Sequence, residues 1–148
     1  MTNKQIIIEI VKSAVKMART KLSESLNNMI QTKAVYQVST TGGNCTIAKD
    51  FSAIKVEINL FLVEGYYEDY GFDAAYAYAY KTVRHEFAHA RQWAYVAKKY
   101  GWNGICKMTS YIANHDYKTS ILEIGARMYE DPKNAKLQDL KDLDIFAA

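Results

Sequence analysis

Over the first thirty residues, Ile7, Val11, Ala14, Ala18, Leu22, Leu26 and Met29 recur at steps of three or four. Glu9, Lys12, Lys16, Arg19 and Glu24 fill the other faces. This pattern predicts one amphipathic helix packed on a core. The polar face carries acids as well as bases, which argues against a membrane-surface helix. The period then drops to two. Residues 34–39 are rich in β-formers, 40–44 are turn residues and 45–49 alternate, which predicts a β-hairpin. Ile54, Val56, Ile58, Leu60 and Leu62 alternate with Lys55, Glu57, Asn59, Phe61 and Val63. That is the strongest strand signal, predicted to run through residues 54–63 and to end in a Tyr- and acid-rich loop at 65–71. From Phe72 the helical period returns. Asp73 is the expected N-cap and Gly101 the expected stop of a helix of about seven turns. Residues 102–104 read as a loop, 105–113 as a short helix and 117–130 as a helix ended by Asp131-Pro132. A last short helix carries Leu137, Leu140, Leu143 and Phe146. With no repeat, low-complexity tract or linker, residues 1–148 are expected to form one α+β domain.

Composition narrows the function classes. Of 148 residues, 49% are hydrophobic and 24% charged, which excludes a disordered tail or a fibrous repeat. A net charge of +3, not gathered into a run, predicts no nucleic-acid partner. The 12 Tyr supply polar-tipped aromatic surface suited to the edges of a core or a cleft. Cys45 and Cys106 form no Cys-x-x-Cys pair, so a thiolate metal site is not expected and free thiols of a reducing compartment are. Ile6-Ile7-Ile8 is broken at once by Glu9, and no run approaches the ~18 apolar residues of a membrane span. The expected location is the cytoplasm, with no membrane partner.

One motif carries chemistry. Residues 85–89 read His85-Glu86-Phe87-Ala88-His89, an HExxH. On a helix, residues i and i+4 lie one above the other, so both imidazoles reach one ion. The Glu beside the first His projects next to the metal, where it can serve as a general base toward water. With 3 His in the chain, chance placement gives about 0.002 such matches, so coincidence is a poor account. The surrounding helix divides into three stripes: Tyr78, Thr82, His85, His89, Gln92 and Val96 toward a cleft; Tyr76, Val83, Phe87, Ala90 and Ala94 toward a core; Arg84, Arg91 and Lys98 toward solvent. Gln92, three residues after His89, is a candidate for contact with substrate or with a ligand.

A catalytic zinc needs a third protein ligand and an open fourth position. A His six residues after His89 is absent, since position 95 is Tyr. Two alternatives remain. His115 or Asp116 lies between elements. Glu123 lies on the next helix, sharing a face with Ala126, Arg127 and Glu130; small Gly125 and Ala126 permit close approach, and Ile121, Leu122 and Met128 anchor that helix.

HExxH followed by a downstream Glu, with Ala three residues after it, resembles the gluzincin arrangement of zincin metallopeptidases. Minigluzincins, SprT-like domains and ImmA/IrrE-type peptidases are the compact members most similar in layout, and the resemblance covers nearly the whole chain. It implies a zincin-like α+β fold: N-terminal helix, small mainly antiparallel sheet, HExxH helix and Glu-bearing helix. It implies one Zn2+ per chain on His85, His89 and Glu123, with Glu86 as general base and then proton donor. It also implies an oxyanion-stabilising side chain, for which Tyr117 and His115 are candidates. In that family the strand before the HExxH helix is a sheet edge that holds the substrate, so a protein or peptide is expected to lie along residues 54–63. The competing expectations are a non-catalytic zincin-fold protein that holds a peptide or partner, and a DNA-associated protease, against which the absence of a basic run speaks.

Overall fold

The computed structural model describes residues 1–131 and 138–147. Its elements, in chain order, are α1 (Asn3–Arg19), α2 (Glu24–Met29), β1 (Ile30–Val35), β2 (Gly43–Ile47), β3 (Ile54–Asn59), α3 (Leu60–Tyr70), α4 (Phe72–Asn114), α5 (Ile121–Glu130) and a 3-10 turn over Leu140–Phe146. This is an α+β arrangement, mostly helical, with a small mixed sheet.

The predicted N-terminal helix is two helices. Thr2 and Gln5 form a capping box that starts α1, whose Ile7, Ile10, Val11, Ala14 and Ala18 are buried. The chain then breaks, and Ser23 caps α2 by accepting from Leu26 N–H. Leu26 still lands on the core, so the apolar period runs on across the corner and hides it. Arg19 staples the corner, donating to Asn27 O, Asn27 Oδ1 and Ile30 O.

The sheet order is β1-β3-β2. β1 runs parallel to β3 and β2 antiparallel to it. Two expectations fail here. Residues 34–39 and 45–49 do not form a hairpin with each other; both flanking segments pair with β3 instead, and the turn-rich stretch around Gly42 carries the chain across. The sheet is accordingly mixed rather than mainly antiparallel. The third strand signal is also shorter than expected. Asn59 ends β3 and caps α3, its Oδ1 accepting from Phe61 N–H at 3.0 Å and from Gln37 N–H at 3.1 Å. The run Leu60-Phe61-Leu62-Val63 is continuous in apolar residues and continues as helix, so residues 65–70 are helical as well. Because β3 has a neighbour on both sides, residues 54–63 are not an edge onto which a peptide can add.

α4 is the central helix. It starts after Gly71, with Asp73 in the first turn rather than at the cap. Gly101 adopts φ 63°, a left-handed conformation that favours glycine, and turns the helix there without a loop, so 102–104 are helical. Val83, Phe87 and Ala90 face the core formed with α1 and the sheet. A second apolar cluster joins Val96 and Met108 of α4 to Leu122 of α5 and to Leu143 and Phe146 of the 3-10 turn. α5 begins at Ile121, four residues later than expected. Leu140, Leu143 and Phe146 lie on the 3-10 turn; Pro132 and Leu137 fall outside the described residues. The charged stripe is a solvent face only toward its end: Lys98 is exposed and Arg91 half-buried, but Arg84 is not. Arg84 is buried, its Nε donating to Tyr129 O at 2.8 Å and its guanidinium 3.9 Å from the Tyr129 ring centroid. A cation is tolerated there because an aromatic face and a carbonyl meet it.

Candidate metal centre

His85 and His89, one turn apart on α4, face Glu123 in the first turn of α5. Their ligand atoms converge: His85 Nε2 is 3.1 Å from His89 Nε2 and 3.1 Å from Glu123 Oε2, and His89 Nε2 is 2.9 Å from Glu123 Oε1. The edge of a tetrahedron built on zinc–ligand bonds of about 2.0–2.1 Å is roughly 3.3 Å. The spacing therefore suits one small ion, and His85, His89 and Glu123 form a group able to hold a metal.

The outer partners of the two rings decide their protonation. His85 Nδ1 lies 2.9 Å from Glu130 Oε1, a carboxylate that only accepts, so this nitrogen carries the hydrogen. His89 Nδ1 lies 2.8 Å from Gln92 Oε1 and likewise donates. The Gln92 amide is oriented by its other end, where Nε2 donates to Leu122 O and to Gln138 Oε1, both at 2.9 Å. In their neutral forms both rings therefore turn a bare Nε2 lone pair toward the Glu123 carboxylate. Such outer-ring hydrogen bonds are what orient imidazoles toward a metal. Lone pairs from three side chains meeting in one place need a positive charge between them. Without a metal they draw a proton. Burial lowers the His89 imidazole, but Glu123, Glu86 and Gln92 outweigh it and leave it raised. Burial alone raises the Glu123 carboxyl, and the two imidazoles outweigh it and hold it well below the usual carboxylate range.

Glu86 is buried beside this group, and burial raises its carboxyl above the ordinary value against the opposing pull of the His89 and His85 charges. Its Oε2, like Glu123 Oε2, accepts no hydrogen bond among the described residues. Buried carboxylate oxygens without donors are rare unless a ligand completes them. β2 passes directly over Glu86. A Cβ on Gly43 would sit 3.0 Å from Glu86 Cγ and 2.7 Å from Glu57 O, so only glycine lets the strand come this close. Burial, with Glu86 nearby, pushes the Cys45 thiol well up, which leaves it a poor thiolate ligand.

These residues line a cleft of about 620 Å3. Residues 40–45 form one wall and α5 the other, and beyond the histidines the lining turns apolar at Trp93, Met108 and Ile112. Ala48 N–H donates to Ala53 O and Asn59 N–H to Gly42 O, so the even-numbered residues of β2 bond to β3. The main-chain groups of Gly43, Cys45 and Ile47 then point to the free side of the sheet.

Of the other residues singled out from the sequence, Tyr117 lies against Glu123; burial and that carboxylate raise its hydroxyl pKa, so it is a neutral donor at physiological pH. His115 lines the cleft but stands outside the ligand group, stacked 3.6 Å from the Tyr111 ring with Nδ1 3.0 Å from Tyr111 O. Asp116 accepts from Lys118 N–H in the turn before α5. Two features escape sequence reading. Glu130 backs His85, and its only signal was its place seven residues after Glu123 on one helix face. The sheet edges are β1 and β2, not β3, and the one that passes over Glu86 is β2. Comparison with protein-family models, with curated proteins and with solved structures finds no match.

Proposed function

We propose that this chain is a zinc-dependent metallopeptidase of the compact zincin type, with His85, His89 and Glu123 holding one Zn2+ and Glu86 as general base. The observation that carries the reading is the pair of outer hydrogen bonds, to Glu130 and Gln92, which leave both Nε2 lone pairs facing Glu123 beside an undonated Glu86 carboxylate. Zinc at this position supplies Lewis acidity, polarising a scissile carbonyl and bringing the acidity of water near neutral pH. Glu86 takes the proton of the attacking water on Oε2 and passes it to the leaving amine. Burial raises its carboxyl above the ordinary value, the direction that favours holding the proton between the two steps. Tyr117 donates to the developing oxyanion, a role that fits a neutral hydroxyl beside Glu123. The substrate is an extended polypeptide added as a strand along β2, where Gly43, Cys45 and Ile47 offer unpaired main-chain groups over Glu86.

The test is turnover of an unfolded protein by the zinc-loaded chain against Glu86→Gln. The variant keeps size and shape but cannot accept the proton. Expected is retained zinc with activity down about 10²–10⁴-fold, the usual worth of a positioned acid–base group. Equal activity in the variant removes Glu86 from the mechanism. A wild-type chain that binds zinc and peptide without turnover returns the non-catalytic reading.

A further inference from the structure

A second cavity, of about 580 Å3, lies on the opposite flank of α4 from the histidines. That volume is in the range of small-molecule sites. Its walls come from the turn before α2, α2 itself, α4 and α5, with Leu26, Met29, Phe87 and Tyr129 among them. Its charged lining has one sign. Lys21, Arg91 and Lys98 border it, and no acid is found among the described lining residues. Arg91 donates to Gln138 O, whereas no salt bridge among the described residues involves Lys21 or Lys98. Both lysines are exposed, so an anion beside them keeps its water on one side and meets little of the cost of burying a charge.

Phe51 adds an independent observation. It lines the cavity with φ 63°, a left-handed conformation that is unfavourable for a residue with a Cβ. Glycine or asparagine would take that position without strain. The ring instead lies at the rim of the cavity, stacked 6.0 Å from Trp102. Strain of this kind persists where the side chain it delivers is needed.

We infer that this cavity binds a small amphiphilic anion of the acyl-carboxylate type, its tail against Leu26, Met29, Phe51 and Phe87 and its headgroup between Lys21 and Lys98. The apolar walls account for the tail. The one-signed rim selects an anion over a cation or a neutral analogue. The inference stands apart from the peptidase reading, since it uses no metal ligand.

The experiment is titration calorimetry of the full chain with dodecanoate below its micelle concentration, beside dodecyltrimethylammonium. Expected is one dodecanoate per chain, with the cationic amphiphile at least about tenfold weaker. Charge reversal in Lys21→Glu with Lys98→Glu weakens dodecanoate by about tenfold or more. Filling the cavity with Ala94→Trp abolishes binding; if that variant does not fold, Ser25→Trp, on the exposed wall, replaces it. Three results overturn the inference: no dodecanoate binding, equal binding of the cationic amphiphile, or dodecanoate binding unchanged in the filled cavity. A chain that sediments as a dimer with this face covered overturns it as well.

Discussion

The two flanks of α4 carry cavities of similar volume, about 620 and 580 Å3, and Gln92 lines the second while accepting from His89 of the first. Their chemistry is opposite. The cleft over β2 gathers Glu86, Glu123 and Glu130 around two imidazoles, and Glu86 Oε2 and Glu123 Oε2 accept no hydrogen bond among the described residues. The cavity behind it has apolar walls and only cations on its rim. Similar volume is therefore not what distinguishes a site for chemistry. The difference lies in polar groups that the protein itself leaves incomplete. In the cleft, the Glu130 and Gln92 side chains are spent on the outer ring nitrogens, so the inner lone pairs face one another. In the cavity, Arg91 is already bonded and the lysines reach water.

The sharpest way to break this contrast is to remove the convergence. Glu123→Gln keeps helix propensity but takes away the negative charge. Zinc affinity should fall more than ~100-fold, beyond the 10–100-fold typical of partners behind a ligand. His115→Ala and Asp116→Ala should leave it nearly unchanged, because neither belongs to the converging group. If affinity survives in Glu123→Gln and falls in either control, the three-ligand group is misidentified. Competition with a chromogenic chelator reads all three variants.

The outer partners come next. Glu130→Gln and Gln92→Leu each free one imidazole to rotate or change tautomer, and each should cost about 10–100-fold in metal affinity. Only Gln92→Leu should also lower stability in metal-free protein. It removes the donor that ties Leu122 O and Gln138 Oε1 to α4, and Gln138 Oε1 loses its partner, with a penalty of about 1–3 kcal/mol for a group left unsatisfied. Denaturant unfolding without metal separates the two. Equal stability of the two variants would mean that Gln92 does not tie α4 to α5.

How much of this was legible before the fold was known depended on how local each feature is. The pairing of His85 with His89 follows from helical spacing alone. Glu123 could be picked out because small Ala126 near it announces close helix packing, whereas Gly125 makes room for the Gln138 side chain. The role of Glu130 required the rotation of α5 against α4, which no spacing within α5 encodes. Sheet order was misread for a related reason. Strand pairing is a long-range choice, and turn residues at 40–44 serve a crossover as well as a hairpin. Apolar alternation through Leu60–Val63 was indistinguishable from a continuous apolar run that a helix can use. Arg84 looked solvated like Lys98 in the same stripe because charge is a good guide to exposure on average, and its compensating partner, the Tyr129 ring and carbonyl, lies 45 residues away.

Metal and proton compete for the same lone pairs, which sets a pH dependence. In metal-free protein the His89 pKa is raised above its ordinary 6.5, so its share of stability is fully present below that value and is lost as pH rises through the folded pKa. Glu123 is depressed below its ordinary 4.5, so its share is present above that value and is lost only at much lower pH. The metal-free fold therefore gains from this pair on the acid side of neutrality, whereas zinc binding requires the proton to leave. The rise in Tm on adding zinc should grow steadily from about pH 5 to pH 8. A zinc-induced shift that is flat over that range would exclude His89 as a ligand, and Glu86→Gln should retain the slope.

The smallest effect concerns the wall shared by the cation-rimmed cavity and the C-terminal 3-10 turn, to which Leu140 belongs. Asp144 on that turn accepts from Tyr100 at 2.5 Å, Tyr95 at 2.8 Å and Lys99 at 3.1 Å. These donors, Tyr100 foremost, bring its carboxyl down to about 2 from an ordinary 3.8. A depressed carboxyl contributes stability that is present above its unfolded value and lost as pH falls through the folded one. Asp144→Asn removes that contribution at neutral pH, so the wild type should be slightly more stable there and the gap should close between about pH 4 and pH 2. The site is exposed and open to screening, so the gap should also shrink in high salt. Metal affinity should not change, since nothing in this cluster touches the ligand group. A Tm difference that stays constant from pH 7 to pH 2 would show that the turn is held by Leu143 and Phe146 in the second core cluster rather than by its carboxylate.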